Sequence, residues 1–316
     1  MSLSRRAFIG GLVGTAAGGI VLGNSCYRHF QKQKNKYNLD KVLLIGIDGL
    51  RPDVLLQAAT PNIDSLIEDA AYSFGTRTGT HTVTGPGWFN ILTGVWEDKH
   101  GVKDNSFKGA NYQQFPNLVT RLEDHDPNFN TYSLASLSWI NDIIIPRVDT
   151  EFYRPFEKEG DLKVAEKASR LLSHHNVDFM FAYFLGVDIA GHNYGFDPQV
   201  PEYLAEIETI DHYVGMLMQG LKSRSTYNQE RWLTIFTSDH GGKGKSHDGV
   251  GEEAMKIPLI MHGSAVEKGE ILPVPTQVDI APTILTYFGV PIREEWGLDG
   301  KVVGLKESYI KAGSLR

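Results

Sequence analysis

Apolar residues fall along this chain in short unbroken runs, separated by longer stretches of helical periodicity. The first run, Lys41-Val42-Leu43-Leu44-Ile45-Gly46-Ile47, stops at Asp48-Gly49. Runs of the same kind occupy Thr131 to Leu137, Asp178 to Leu185, Trp232 to Ser238 and Ile257 to Met261. An apolar, β-branched and aromatic run of this length predicts a strand buried on both faces. Thr60-Pro61-Asn62-Ile63-Asp64 starts a helix running through Ala71, with Pro in the first turn and Ile63, Leu66 and Ile67 at helical spacing. Further helices are predicted from near Pro86 and over Phe115 to Leu122, Leu162 to Leu172, Pro198 to Leu221 and Gln277 to Phe288. Strands alternating with helices give an α/β fold, a mostly parallel central sheet with helices on both faces. No repeat, low-complexity tract or interior linker interrupts the body, so residues 40–316 read as a single domain.

The N-terminus follows a different pattern. Ser4-Arg5-Arg6-Ala7-Phe8-Ile9-Gly10 precedes an uncharged, glycine-rich apolar run to Leu22. This is the form of a twin-arginine export signal, an address that takes no part in the fold. The run is short and rich in small residues for a spanning helix. Residues 1–26 are therefore assigned as export signal and 27–39 as a polar, basic tether. The expected location is outside the cytoplasmic membrane, periplasmic or anchored on its outer side. Cys26 follows Leu22-Gly23-Asn24-Ser25, a poor lipoprotein box because a bulky residue is expected where Gly23 stands; lipid on Cys26 stays an open alternative.

Composition narrows the chemistry. The 316 residues carry a net charge of -7, and the first 26 contribute two arginines and no acid. So acidic a body lacks the basic footprint of a nucleic-acid-binding surface. A small phosphate ester is not excluded, because a local metal charge outweighs the global field. Cys26 is the one cysteine, which rules out an intrachain disulfide and a thiolate cluster. A metal would be held by His and carboxylate, which suits zinc, with manganese the alternative.

Three strand ends carry that chemistry. The first strand ends at Asp48, the strand through Phe184 runs into Asp188 and His192, and the strand through Phe236 ends in Asp239-His240, with His247 shortly after. Parallel strands share one C-terminal edge, where α/β sheets place their sites, so these residues converge although distant in sequence. Asp188 and His192 are spaced to point the same way across one helical turn. One Asp alone is explained as a helix cap and one His as a satisfied core residue. Three Asp and three His at three strand ends are better explained by two three-ligand metal sites, each with an open position. Paired metals about 4 Å apart clamp both oxygens of a displacement at phosphorus.

The candidate nucleophile is Thr84, in Thr82-Val83-Thr84-Gly85-Pro86-Gly87-Trp88. Its hydroxyl is weak at its free pKa and becomes usable on coordination to a metal. A helix N-terminus there would add backbone donors for an anionic phosphoryl group. Thr84 also fits as a helix cap, and Thr82 is a local rival for either role.

Asp48-Gly49-Leu50-Arg51-Pro52-Asp53, Thr60-Pro61-Asn62-Ile63-Asp64, Leu92-Thr93-Gly94, His100-Gly101-Val102-Lys103-Asp104-Asn105, Asp188-x-x-Gly191-His192, Ser238-Asp239-His240-Gly241 and Asp279-Ile280-Ala281-Pro282-Thr283 occur in this order. In this the chain resembles the alkaline phosphatase superfamily, most closely its nucleotide pyrophosphatase/phosphodiesterase branch, from residue 41 to about 304. The resemblance implies an alkaline-phosphatase-like fold and two zinc ions, one on Asp48, Asp239, His240 and the Thr84 oxygen, the other on Asp188, His192 and His247. It implies a phosphothreonine intermediate on Thr84 and a hydrogen bond from Asn105 to the phosphoryl oxygen. Tyr183 matches one aromatic of the family's nucleotide base clamp.

Departures accompany the match. The residue after the nucleophile is often Phe and is here Gly85; a frequent Asn is here Gly87; and a long insertion before the last His is reduced to Gly241–Ser246. The expected reaction is hydrolysis of a phosphodiester or pyrophosphate bond, with a phosphomonoesterase on the same scaffold as the alternative and an inactive metal-binding relative behind it. Lys222-Ser223-Arg224, the one Lys-x-Arg pair, lies far from the ligands in sequence, which disfavours the monoesterase. No Cys-x-Pro-x-Arg or Ser-x-Pro-x-Arg occurs, which disfavours a sulfatase. Lys243 and Lys245 are candidates for steering an anion, though a solvated loop explains them equally. Arg51 is expected to pair with a carboxylate, and His81, His100, His174, His175, His212 and His262 to be structural.

Overall fold

The computed structural model describes residues 38–249 and 251–314. The expected signal (1–26), Cys26 and most of the tether lie outside the described residues. Eight strands, β1 (Asp40–Ile47), β2 (Ala70–Arg77), β3 (Thr131–Ala135), β4 (Thr150–Tyr153), β5 (Phe179–Phe184), β6 (Arg231–Thr237), β7 (Lys256–His262) and β8 (Gly269–Glu270), form one sheet. Their order is β4-β3-β5-β1-β6-β7-β2-β8. β1 pairs in parallel with β5 and β6, and β3 with β4 and β5; β7 alone runs against its neighbours β6 and β2. The sheet is thus mostly parallel, as the pattern of apolar runs predicts.

Side-chain alternation along the central strands explains why both faces are covered. Val42 and Leu44 of β1 point into a cluster with Trp88, Phe89 and Ile91 of α2 (Thr84–Thr93), Leu118 and Leu122 of α3 (Leu118–His125), and Ile284 and Leu285 from the helix Ile280–Tyr287. Leu43, Ile45 and Ile47 point the other way, onto Val164 and Leu171 of α4 (Gly160–His174) and Ile207, Ile210 and Val214 of the helix Pro201–Lys222. With two covered faces, every residue of β1 is buried, which is why it reads as continuously apolar instead of alternating.

The structure corrects some boundaries. The helix opening at Pro61, α1 (Pro61–Ile67), stops short of the expected end, and Ala70 and Ala71 begin β2. Alanine favours a helix on its own, but here it pairs with Met261 and His262 of β7, contacts that local propensity does not contain. The helix expected from Phe115 starts at Leu118, where the Asn117 side chain accepts from Thr120 N at 2.9 Å. The residues after β5 form a full helix, α5 (Gly186–Tyr194), which carries Asp188 in its first turn and His192 near its end. Among the described residues no helix is long and apolar enough to cross a membrane.

Candidate active site

β5, β1 and β6 are adjacent and parallel, so their C-terminal ends deliver the candidate residues to one edge. Ligand atoms of Asp48, Asp239 and His240 lie within 4.8 Å of one another, and those of Asp188, His192 and His247 do so as a second group. The glycine after Asp48 makes this approach possible. Gly49 has φ +69, and a Cβ there would stand 2.8 Å from Asp188 Cα.

Each carboxylate of the first group has one oxygen held and one bare. Asp48 Oδ2 accepts from the Tyr183 hydroxyl at 2.5 Å and Trp88 Nε1 at 3.2 Å, while its buried Oδ1 has no hydrogen-bond partner. Asp239 Oδ1 accepts from Gly49 N at 3.2 Å, while its Oδ2 is bare. The bare atoms face His240 Nε2, also without a partner, at 3.5 and 3.3 Å. Unpaired polar atoms at full burial are costly, and three converging on one point fit a cation between them.

The imidazoles carry the same signature. His240 Nδ1 lies 2.9 Å from Gly241 O, His192 Nδ1 3.0 Å from Lys245 O, and His247 Nδ1 2.5 Å from Thr82 O. A carbonyl only accepts, so each Nδ1 carries the proton and each Nε2 presents a lone pair to its group. His192 Nε2 and His247 Nε2 then face each other at 3.1 Å, two acceptors that need a positive centre between them. Asp188 adds a bare Oδ1 3.9 Å from His247 Nε2. The donor set, carboxylate and neutral imidazole, fits a divalent ion such as zinc.

Electrostatics without a metal point the same way. Burial raises the Asp48 pKa, and burial together with the neighbouring carboxylates raises Asp239 and Asp188 well above the ordinary range. Burial lowers His240 to about 3 and His247 to about 4. The acids repel one another's charge and the imidazoles stay neutral, a combination that a bound cation relieves.

Thr84 opens α2 and is 5% exposed. The first turn of α2 is seated on the first group: Trp88 donates to Asp48, and a Cβ on Gly87 would stand 2.8 Å from Asp239 Cβ. Gly87 is therefore required by close approach. Asn105 Oδ1 accepts from Gly85 N at 2.7 Å, which fixes the amide beside Thr84 and leaves Nδ2 as its donor.

The family model described as type I phosphodiesterase / nucleotide pyrophosphatase matches residues 42–254. The chain belongs to that family. It is 29% identical over 223 residues to an uncharacterised pyrophosphatase/phosphodiesterase of Schizosaccharomyces pombe, covering 63% of this chain and 44% of the relative. It is 25% identical over 243 residues to a bis(5'-adenosyl)-triphosphatase of Homo sapiens, covering 70% and 52%. The chain thus spans about half the length of these relatives. Murine ectonucleotide pyrophosphatase/phosphodiesterase 5 shares the fold at a TM-score of 0.62 and 15% identity, covering 79% of this chain and 95% of that one. A 2-O GAG sulfatase does so at 0.70 and 15% identity, covering 84% and 73%. Both are alkaline-phosphatase-like folds.

Tyr183 is fully buried between Asp48 and the rings of Trp88 and Phe181, so it offers no face to a substrate base. The expectation of a stacking Tyr183 is corrected: it holds a carboxylate. A side chain after Thr84 would have to displace Asn105 and shift Asp104, because a Gly85 Cβ would lie 2.9 Å from Asn105 Oδ1 and 3.1 Å from Asp104 O. Lys243 pairs with Glu253 at 3.1 Å and Lys245 donates to Asn193 O at 2.7 Å, so neither is a loose steering charge. Arg51 pairs with Asp53, as expected, and also donates to Phe196 O and Gly242 O, bracing the loop before His247. Arg224 is buried against Glu230, just before the N-terminal end of β6, opposite the site. The roles of Trp88 and of the Thr82 carbonyl are not legible in the sequence, where one reads as core and the other carries no side-chain signal.

Proposed function

We propose that this chain is a metal-dependent hydrolase of phosphodiester or pyrophosphate bonds, with Thr84 as nucleophile. The observation that carries the reading is the convergence of two three-residue groups, with lone pairs and bare carboxylate oxygens inward, on the turn where Thr84 opens α2. Asp48, Asp239 and His240 would hold one zinc ion with the Thr84 oxygen, and Asp188, His192 and His247 the other. Bound divalent metal supplies charge to favour the alkoxide and to neutralise the phosphoryl oxygens. The Thr84 oxygen forms a bond to phosphorus, its proton goes to solvent, and the ester oxygen leaves with the bonding pair. Water then cleaves the phosphothreonine and returns the hydroxyl. Asn105 Nδ2 donates to a phosphoryl oxygen as charge develops, and Trp88 and Tyr183 keep Asp48 turned inward.

An aromatic surface beside Thr84 comes from residues other than the family's expected pair. Phe107 lies 3.3 Å from the position of a Gly85 Cβ, and its ring meets that of Trp139 at 5.1 Å. Phe107 holds a left-handed backbone at φ +56, a strained conformation of the sort that clusters at functional sites. This wall suits a diester with a planar or apolar group next to phosphorus.

Thr84→Ala should lower hydrolysis of an activated phosphodiester by at least about 10³-fold, in the range of lost nucleophiles, with zinc content retained. Unchanged hydrolysis would sink the nucleophile assignment. Rates on an activated monoester, diester and sulfate ester separate the alternatives, and a monoester preference would overturn the diester reading. A twin-arginine signal at Arg5 and Arg6 would carry the chain outside the cytoplasmic membrane; replacing both by lysine should trap it in the cytoplasmic fraction, and undiminished export would contradict the signal.

A further inference from the structure

We infer that Thr82 is a positioning residue that couples occupancy of the Asp188–His192–His247 group to placement of the nucleophile. The coupling rests on the proposal that this group holds a metal. Thr82 Oγ1 donates to the His247 carbonyl, and His247 Nδ1 donates back to the Thr82 carbonyl at 2.5 Å. Residues 165 apart in sequence are thus joined by a closed pair of hydrogen bonds, and Thr82 is only 2% exposed. Two residues later the chain reaches Thr84, with Val83 alone between.

His247 is the hub of this link. Its Nε2 faces His192 and Asp188, its ring stacks on that of His240 with centroids 3.9 Å apart and planes 20° apart, and its Nδ1 holds Thr82. One imidazole thereby touches both ligand groups and the nucleophile's loop. The segment before it is well braced: Gly241 N donates to Ala254 O, Lys243 and Ser246 bond each other, and Phe196 N donates to Gly244 O. The Thr82 pair is where that bracing passes to the turn before α2.

Linkage makes the consequence reciprocal. An ion that fixes His247 through Nε2 also orders the Thr82 carbonyl on the far side of the ring, and a fixed Thr82 preorients His247 for the ion. In Thr82→Val the β-branched shape stays, the Oγ1 donor is lost and the part-buried His247 carbonyl loses its bond from Thr82. Thr82→Ser restores the donor.

Zinc alone, titrated calorimetrically into the metal-free full chain, provides the test. In Thr82→Val one of the two binding steps should weaken about ten- to hundredfold, the range found for groups that orient metal ligands. The other step should be unchanged, and Thr82→Ser should bind as the natural chain does. Hydrogen exchange of residues 79–85, followed in Asp239→Asn to disable the other group, should slow as zinc fills the Asp188–His192–His247 group, and this reading stands even where the valine variant fails to fold. With loaded enzyme, kcat should fall with KM little changed. Two unaltered zinc steps in folded Thr82→Val, or exchange in 79–85 indifferent to zinc, would overturn the coupling while leaving the proposed reaction standing. A chain that binds no zinc would overturn the proposed reaction and the coupling with it.

Discussion

Tyr183 shows what a single residue contributes and why its role is hidden in the sequence. In Phe179–Phe184 it reads as one more buried aromatic, and it is buried. Its hydroxyl nevertheless meets Asp48 at 2.5 Å, because β1 and β5 pair in register with Gly46 opposite Tyr183. Burial pushes the phenol pKa up, and the nearby Asp48 charge raises it further, so Tyr183 stays a donor at any working pH. Tyr183→Phe keeps the ring and removes the donor, leaving Oδ2 of Asp48 with the 3.2 Å bond from Trp88. Zinc affinity or kcat should fall about ten- to hundredfold with the melting temperature little changed. Full activity and affinity in Tyr183→Phe would mean that Trp88 alone orients the carboxylate. The ligands themselves were legible, since Asp and His at the ends of apolar strands have little other reason to be there. Thr82 and Tyr183 were not, since their partners lie 165 and 135 residues away and depend on register.

At the scale of elements, the strand ends work because the loops after them are short and tightly opposed. β1, β5 and β6 were legible as unbroken apolar runs. β2 was not, because Ala70, Ala71, Ser73 and Gly75 carry little hydrophobic signal and the strand owes its existence to β7 and β8 on either side. The turn after β1 is the tightest opposition. Gly49 combines a left-handed backbone with a 2.8 Å approach to backbone of α5, the helix that presents Asp188 and His192. Any side chain there must push α5 away from β1 or leave the left-handed region, which costs an L-residue about 1–2 kcal/mol before the clash. Gly49→Ala should therefore lower stability to urea by at least that amount and separate the two ligand groups, reducing zinc bound per chain. A stable Gly49→Ala with full zinc content would show that the loop can yield. Gly269 is the useful contrast: it has φ +116 and nothing within 4 Å, so alanine there should cost backbone strain alone and leave zinc untouched.

For the whole molecule, the consequence of gathering three carboxylates at one edge is a pH dependence that metal should cancel. In the metal-free chain burial raises Asp48, and burial with neighbouring acids raises Asp188 and Asp239 well above the ordinary range. A folded carboxyl that keeps its proton when the unfolded one has lost it stabilises the fold at low pH, and that stability is lost as pH rises through the folded pKa. His240 and His247 act in the opposite sense. Their folded values, about 3 and about 4, lie below the unfolded value of 6.5, so their contribution grows as pH rises from about 3 and is complete above 6.5. Above pH 6.5 the histidine contribution no longer grows, and the metal-free chain should lose stability as pH rises through the raised values of the folded carboxyls. Zinc reverses this, because it binds the deprotonated acids and neutral imidazoles and gains affinity as protons leave. Melting temperatures measured with zinc and with excess chelator should therefore diverge as pH rises above 6.5, the chelated chain falling and the loaded chain holding. A gap that stays constant over that range would mean that the carboxylates at the strand ends are already ionised in the metal-free fold, and that something other than a divalent ion balances their charge.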